Sequence, residues 1–293
     1  MPRSFPVLFA LLIAGMMLPA AAQQPPAAQQ PPAQQQAPQP RPDDPPHETF
    51  VYKNGTLELE AYFFKPTGAG PFPLVVYNHG SRAGQERVEW PVYYIARLLV
   101  PAGYALLVPE RRGYGKSEGK TFTEDIGPDE RGQRFVERLA LEAADVNAAL
   151  DYAKKTFPID PKRIVMQGYS FGGIVTTLAA AKSTSLRAVV NQAPGALNWD
   201  KSQELRTALT EAAKKIRVPM LCMAAENDMT TESARVICAT AKAAGAAADV
   251  KIYPPFTHPT NPNPRAPGHA LFASVGVEIW KQDLLDFLAK QTR

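Results

Sequence analysis

The chain has 293 residues, 45% of them hydrophobic, and a formal net charge of +4, which allows one large core within a single domain. The charge is mild, and no long basic run or aromatic–basic interleaving occurs, so the sequence carries no nucleic-acid-binding signature. Four histidines and two cysteines, without metal-ligand spacing, give no metal site, and no cofactor motif is present.

Met1-Pro2-Arg3 is a basic start, Val7 to Leu18 is apolar, and Ala20-Ala21-Ala22 offers a small-residue cleavage site before Gln23. Residues 1–22 therefore read as a secretory signal peptide, too short and wrongly flanked to span a membrane. A retained N-terminal anchor is the other reading. No Cys follows the apolar run, so a lipid-modified N-terminus is not expected. Residues 23–46 are almost entirely Pro, Gln and Ala, and cannot bury enough surface to offset the entropy of ordering them. A disordered, extended linker is expected there. The folded domain is then 47–293, and the mature chain should be exported, periplasmic or secreted, without a membrane span.

Two strands near Thr49–Lys53 and Thr56–Lys65 flank Asn54-Gly55, a strong hairpin signal, so the sheet should begin antiparallel. Strand and helix then alternate. Further strands are expected at Pro73–Tyr77, Tyr104–Val108, Arg163–Tyr169, Arg187–Asn191, Pro219–Ala224 and Asp249–Tyr253. Helices are expected near Glu89–Leu99, Leu141–Thr156, Phe171–Ala181, Ser202–Ile216, Thr231–Ala244 and Val275–Lys290. In the last of these Val277, Trp280, Leu284 and Leu288 recur at helical spacing and should face the sheet. The alternation predicts an α/β fold, a mostly parallel sheet with helices on both faces and an antiparallel N-terminal hairpin. Ligands of such sheets bind at the carboxyl ends of the strands.

Candidate chemistry falls at that edge. Gly168-Tyr169-Ser170-Phe171-Gly172-Gly173 lies between a strand and a helix. A serine there must adopt a strained backbone, which Gly168 and Gly172 make sterically possible, and its hydroxyl is pushed outward as a nucleophile. The Phe171 amide, at the helix N-terminus, is left to bind an oxyanion. A serine hydroxyl needs an imidazole to take its proton and a carboxylate to orient that imidazole, in the chain order Ser, acid, His. Asp228, just past the strand Pro219–Ala224, is the best acid, with Glu226 and Asp200 as fallbacks. Two histidines follow the last strand. His269 precedes the final helix, where packed structure can hold it, and is preferred as the base. His258, in a Pro- and Asn-rich loop, is assigned to the loop or to a substrate-facing position.

The second oxyanion donor should come from Asn78-His79-Gly80-Ser81, with the Ser81 amide first and Gly80 second. His79 is expected to brace that loop rather than react. The segment from Pro109 to Gly119 matches no phosphate-binding loop and reads as a structural turn. Tyr114 within it, and Tyr169 beside the serine, are candidate pocket residues. Cys222 and Cys238 fall on a strand and the helix after it. An exported chain permits a bridge between them, but two buried thiols are the favoured expectation.

Asn78-His79-Gly80-Ser81, Arg112-Gly113-Tyr114-Gly115-Lys116-Ser117, Asp160-Pro161-Lys162-Arg163-Ile164, Gly168 to Gly173, Asp228 and Gly268-His269 together resemble the α/β-hydrolase superfamily. Within it the chain looks most like the dienelactone-hydrolase-like branch, which is related to the prolyl oligopeptidases. The resemblance implies that fold, a Ser170–His269–Asp228 triad, and hydrolysis of a small-molecule carboxylic ester without a cofactor. Two departures bear on substrate. Dienelactone hydrolases proper are expected to carry a cysteine nucleophile, where this chain has Ser170. The oligopeptidases usually carry a Gly-Gly-Pro type loop, where this chain has His79-Gly80-Ser81. Cleavage of short peptides or amides, and a non-enzymatic binding role on a hydrolase scaffold, are the alternatives.

Overall fold

The computed structural model describes residues 1–2, 40–127 and 130–293; all but the first two residues of the expected signal peptide and most of the expected linker lie outside them. Strands β1 (His47–Asn54) and β2 (Leu57–Phe64) form the antiparallel hairpin. Its two-residue loop is Gly55-Thr56, one residue on from the expected Asn54-Gly55, because Asn54 pairs with Leu57. Gly55 supplies the positive φ, 60°, that the loop needs at its first position. Asn54 reaches elsewhere, and its Nδ2 donates to Asp145 Oδ1 at 2.8 Å.

Strands β3 (Phe72–Asn78), β4 (Ala105–Pro109), β5 (Ile159–Tyr169), β6 (Ala188–Gln192), β7 (Met220–Ala225) and β8 (Ala248–Tyr253) complete an eight-stranded sheet in the order β1-β2-β4-β3-β5-β6-β7-β8. β2 runs antiparallel to both of its neighbours, and the other pairs are parallel. The register aligns Asn78 with Gly168, Tyr169 with Gln192, Gln192 with Met223 and Ala225 with Tyr253. The loops after β3, β5, β7 and β8 therefore emerge along one edge.

The helices are α1 (Tyr93–Leu99), α2 (Phe122–Asp125), α3 (Gln133–Thr156), α4 (Phe171–Ala180), α5 (Gln203–Ala213), α6 (Glu232–Ala243) and α7 (Val277–Thr292). One face of the sheet is covered by α3 to α6, which contribute Phe135, Leu139, Ile174, Leu205 and Ile237 to the core. On the other face α1 and α7 pack Ile95, Leu99, Trp280, Leu284 and Leu288. The stripe expected in α7 therefore faces inward, with Val277 partly buried at its start.

Three helices differ from expectation. α1 begins after Pro91 rather than at Glu89, because Val92 takes φ 56°, which ends helical geometry there. α3 begins at Gln133 rather than Leu141, since Phe135 and Leu139 extend the buried stripe of Ala143, Val146 and Leu150 by two turns. α2 was not expected. It is started by a capping box in which Thr121 Oγ1 accepts from the Glu124 amide at 3.1 Å and Glu124 Oε2 accepts from the Thr121 amide at 2.7 Å. Ahead of β1, Asp44 is ion-paired with Arg97 of α1, so the chain is held against the fold before the boundary expected at Pro46. Among the described residues no helix is long and apolar enough to cross a membrane.

The cysteines correct another expectation. Cys222 of β7 and Cys238 of α6 are joined as a disulfide, with Cα atoms 6.2 Å apart, rather than standing as two thiols. Helix α6 returns directly over the strand that precedes it, which brings the two Cβ atoms face to face. Cross-linking residues separated by 16 positions should contribute about 3 kcal/mol by restricting the unfolded chain. Cys222→Ala/Cys238→Ala is therefore expected to lower Tm by several degrees while leaving kcat at 25 °C unchanged. The check is a melt with and without dithiothreitol; equal midpoints for the oxidised and reduced native protein would contradict the assignment.

Candidate active site

Ser170 joins β5 to α4 at φ 57° and ψ −116°, a positive-φ conformation that costs a non-glycine residue about 1–3 kcal/mol. The surrounding bonds enforce it. Its amide donates to Gln192 O at 2.8 Å, and its carbonyl accepts from Gly173 and Gly195 amides at 3.0 and 3.1 Å. The flanking glycines answer to close approach. A Cβ on Gly168 would lie 2.2 Å from Gly172 O, and one on Gly172 would lie 1.9 Å from Asn78 O. Helix α4 thus starts hard against β3 and β5, and the Ser170 side chain is turned out of the elbow.

His269 lies on a 3-10 turn, Pro267–Phe272, just ahead of α7. Its Nδ1 donates to the Asp228 carboxylate, 3.0 Å from Oδ1 and 2.9 Å from Oδ2, which leaves Nε2 to accept from Ser170 Oγ at 2.8 Å. Asp228 is aimed by the Met229 amide, which donates to Oδ1 at 2.7 Å. Asp228 and His269 are both buried, so these bonds form largely out of water. The fallback acids Glu226 and Asp200 are exposed and take no part.

Sequence reasoning missed what holds the histidine turn. Gly268 packs so closely on the acid-bearing loop that a Cβ would lie 2.4 Å from Asn227 Oδ1 and 2.8 Å from the Asp228 nitrogen. Asn227 in turn exchanges two 2.9 Å bonds with the Phe256 backbone, and its carbonyl accepts from Gly268 N at 3.1 Å. Three carbonyls of the turn accept from aromatic side chains: His269 O from Tyr169 at 2.9 Å, Leu271 O from Trp280 at 2.9 Å, and Phe272 O from Tyr94 at 3.3 Å. The Gly-His pair was the only visible signal; the aromatic donors come from distant elements and left none.

The loop after β3 lies beside the serine. A Cβ on Gly80 would be 3.5 Å from Ser170 Cβ. Among the described residues nothing accepts from the amides of Gly80, Ser81 or Phe171, so all three are available to an incoming oxygen. His79 is buried beneath the loop, and its Nδ1 donates to Gly80 O at 2.8 Å. Burial, with the Arg111 and Arg82 charges beside it, holds the imidazole pKa well below its usual value, so His79 is neutral. It is 3.8 Å from Glu110 and forms no ion pair with it. Glu110 instead takes both guanidinium nitrogens of Arg82.

Two cavities share Ser81, and one of them reaches Ser170. One, of about 430 Å³, is lined by Ser170, Phe171, Phe122, Phe135, Arg131 and Lys201 among others. The other, of about 290 Å³, is lined by Tyr169, Tyr77, Tyr94, Trp90, Gly80 and Arg82 among others. A larger cleft of about 730 Å³ borders residues 42–48 and the turn after β2; it touches none of the groups above. Tyr169 lines the smaller cavity. Tyr114 does not reach either one. It is buried under the loop, with its ring 5.0 Å from both the Arg82 and Arg111 guanidinium carbons and 4.7 Å from the His79 ring. His258 is also absent from both linings, because its Nδ1 accepts from the Thr260 and Asn261 amides and closes its own loop.

The fold has known counterparts. The acylaminoacyl peptidase of Pyrococcus horikoshii superposes with a TM-score of 0.62 at 17% identity, over 85% of this chain and 42% of that one. An esterase of Pyrococcus furiosus gives 0.60 at 17% identity, over 85% of this chain and 92% of that one. At such identities the likeness is one of fold, that of the α/β-hydrolases. In sequence, the quorum-quenching protein AidA of Acinetobacter baumannii is 30% identical over 159 residues, which are 54% of this chain and 47% of that protein. The chain thus spans about half the length of that curated relative. The model of the dienelactone hydrolase family matches residues 59–273, from β2 through the histidine turn. The chain belongs to the dienelactone hydrolase family.

Proposed function

We propose that this protein is an exported serine hydrolase that cleaves carboxylic esters through an acyl-enzyme. One observation carries the reading: an unbroken hydrogen-bonded line runs from Asp228 through His269 to Ser170, and ends beside unpaired amides. Ser170 Oγ attacks the ester carbonyl while His269 Nε2 takes its proton, and Asp228 stabilises the imidazolium that forms. The amides of Phe171 and of Ser81 or Gly80 receive the oxyanion. His269 then gives its proton to the departing alcohol, leaving an acyl group on Ser170. Water, deprotonated by His269, attacks the acyl carbonyl, and the adduct expels Ser170 Oγ, which takes the proton back from His269 as the acid leaves.

The linings favour esters over peptides with a free amino terminus. Among the described residues no Asp or Glu lines either cavity, whereas Arg131, Lys201 and Arg82 do. Among the described lining residues a substrate ammonium group would meet cationic side chains and no carboxylate. Export is supported by the signal-like start of the sequence and by the Cys222–Cys238 bridge, which persists in oxidising compartments.

The test is a panel of p-nitrophenyl esters of increasing chain length run beside aminoacyl p-nitroanilides. Ester kcat/KM is expected to exceed anilide kcat/KM by at least roughly 10². A preference for the anilides would move the reading to a peptidase. No turnover of either, with no reaction toward a fluorophosphonate, would favour a binding protein.

A further inference from the structure

The loop that presents the unpaired amides rests on a charged layer with no exposure to solvent. Arg111, just past β4, is fully buried, and so is Glu142 of α3. Arg111 Nε donates to Glu142 Oε2 at 2.7 Å, and Arg111 Nη2 donates to His79 O at 3.2 Å. One step along the loop, the His79 ring donates to Gly80 O at 2.8 Å. The 3.5 Å approach of Arg111 Nη2 to His79 Nδ1 lies between two donors and is not a bond.

Two successive carbonyls, His79 O and Gly80 O, are thus drawn to one side by neighbouring donors. In a trans peptide unit the carbonyl and the following N–H point in opposite directions. The His79 carbonyl shares its plane with the Gly80 amide, and the Gly80 carbonyl shares its plane with the Ser81 amide. Drawing the carbonyls inward turns both amides away from the charged layer, in a loop that borders Ser170: a Cβ on Gly80 would lie 3.5 Å from Ser170 Cβ, and Ser81 lines the same cavity as Ser170. Among the described residues neither amide has another acceptor.

We propose that Arg111, locked by Glu142, is a positioning residue of the oxyanion-binding loop, acting through the His79 carbonyl and jointly with the His79 ring. The inference rests on the esterase reading of the site. A buried ion pair is a poor source of stability, because desolvation offsets much of its attraction. A donor that fixes one peptide plane gives this pair a use that stability alone does not. Arginine suits the task, since one planar fork serves a carboxylate and a carbonyl together, and lysine, a point charge, cannot span both in the same way.

The experiment compares Arg111→Lys and the double variant Arg111→Met/Glu142→Leu with the unaltered enzyme. The double variant removes both charges of the pair together, and Arg138 loses its 3.2 Å contact with Glu142. In it Arg138 keeps Asp125 and the carbonyls of Arg112 and Lys120. Three quantities are measured: kcat and KM for a p-nitrophenyl ester, Ki for a trifluoromethyl ketone whose adduct carries an oxyanion, and Tm. Both folded variants are expected to lose roughly 10²-fold in kcat. KM should stay within about twofold, and the ketone Ki should rise in step with the fall in kcat. A folded variant with near-native kcat and Ki overturns the inference, as does one in which KM rises and kcat holds. If both variants unfold, the pair is shown to be structural and the inference falls. An unaltered enzyme that neither turns over esters nor forms the ketone adduct overturns the esterase reading itself, which distinguishes that failure from this one.

Discussion

Ser170→Ala is expected to eliminate ester hydrolysis, with kcat lower by on the order of 10⁶, and to leave the fold intact. The size follows from the role. Without Oγ there is no acyl-enzyme, and His269 Nε2 faces an empty position rather than a nucleophile. The intact fold follows from the bonding. Every bond that keeps residue 170 at φ 57° runs through its backbone, to Gln192, Gly173, Ile174 and Gly195, and an alanine forms the same ones. The only side-chain partner lost is His269. Tm should therefore move by no more than about 2 °C. Labelling of the unaltered protein with a fluorophosphonate, followed by peptide mapping, gives an independent check. Label on any residue other than Ser170 would sink the assignment, and so would a folded Ser170→Ala protein that still hydrolyses the ester.

Much of this site was legible in the sequence because its chemistry sits where local rules are strict. Gly168, Ser170 and Gly172 follow from one requirement, a strand turning directly into a packed helix. Asp228 and His269 follow from strand ends that the alternating pattern already located. Residues whose position depends on non-local packing were harder to read. Tyr114 sits in a glycine-rich turn at the correct edge, yet two guanidinium groups and the His79 ring draw it beneath the loop. Arg111 gave no functional signal, because its partners Glu142 and His79 come from a helix and a strand end far away in the chain. The disulfide was misread for a related reason. Whether two thiols meet depends on how α6 returns over β7, and residue spacing alone leaves that open. The start of α3 was missed because its first apolar residues, Phe135 and Leu139, stand among charged neighbours that dilute the helical period.

The two histidines of the final loop region give a second large and opposed pair of expectations. His269→Ala should lower kcat to the small residue that binding and the oxyanion amides supply, a loss of roughly 10⁴ to 10⁶. Its imidazole is the one group that bonds both Ser170 and Asp228, and alanine leaves the serine proton with no acceptor. His258→Ala should change kcat by less than about threefold, because its ring accepts from the amides of Thr260 and Asn261 and lines neither cavity beside Ser170. The sequence alone placed His258 at a substrate-facing position as one option, which would raise KM; the geometry removes that expectation as well. Asp228→Asn belongs between the two. An amide keeps the shape of the carboxylate, but it stabilises the imidazolium poorly and favours the wrong ring tautomer, so a loss of about 10² to 10⁴ is expected. The ordering His269→Ala, then Asp228→Asn, then His258→Ala is the quantity to test, as kcat at saturating ester with circular dichroism confirming each fold. An inactive His258→Ala enzyme beside a folded, active His269→Ala enzyme would reverse the assignment of the base. Equal losses in all three would point instead to the loop's order, not to proton transfer, as what these substitutions disturb.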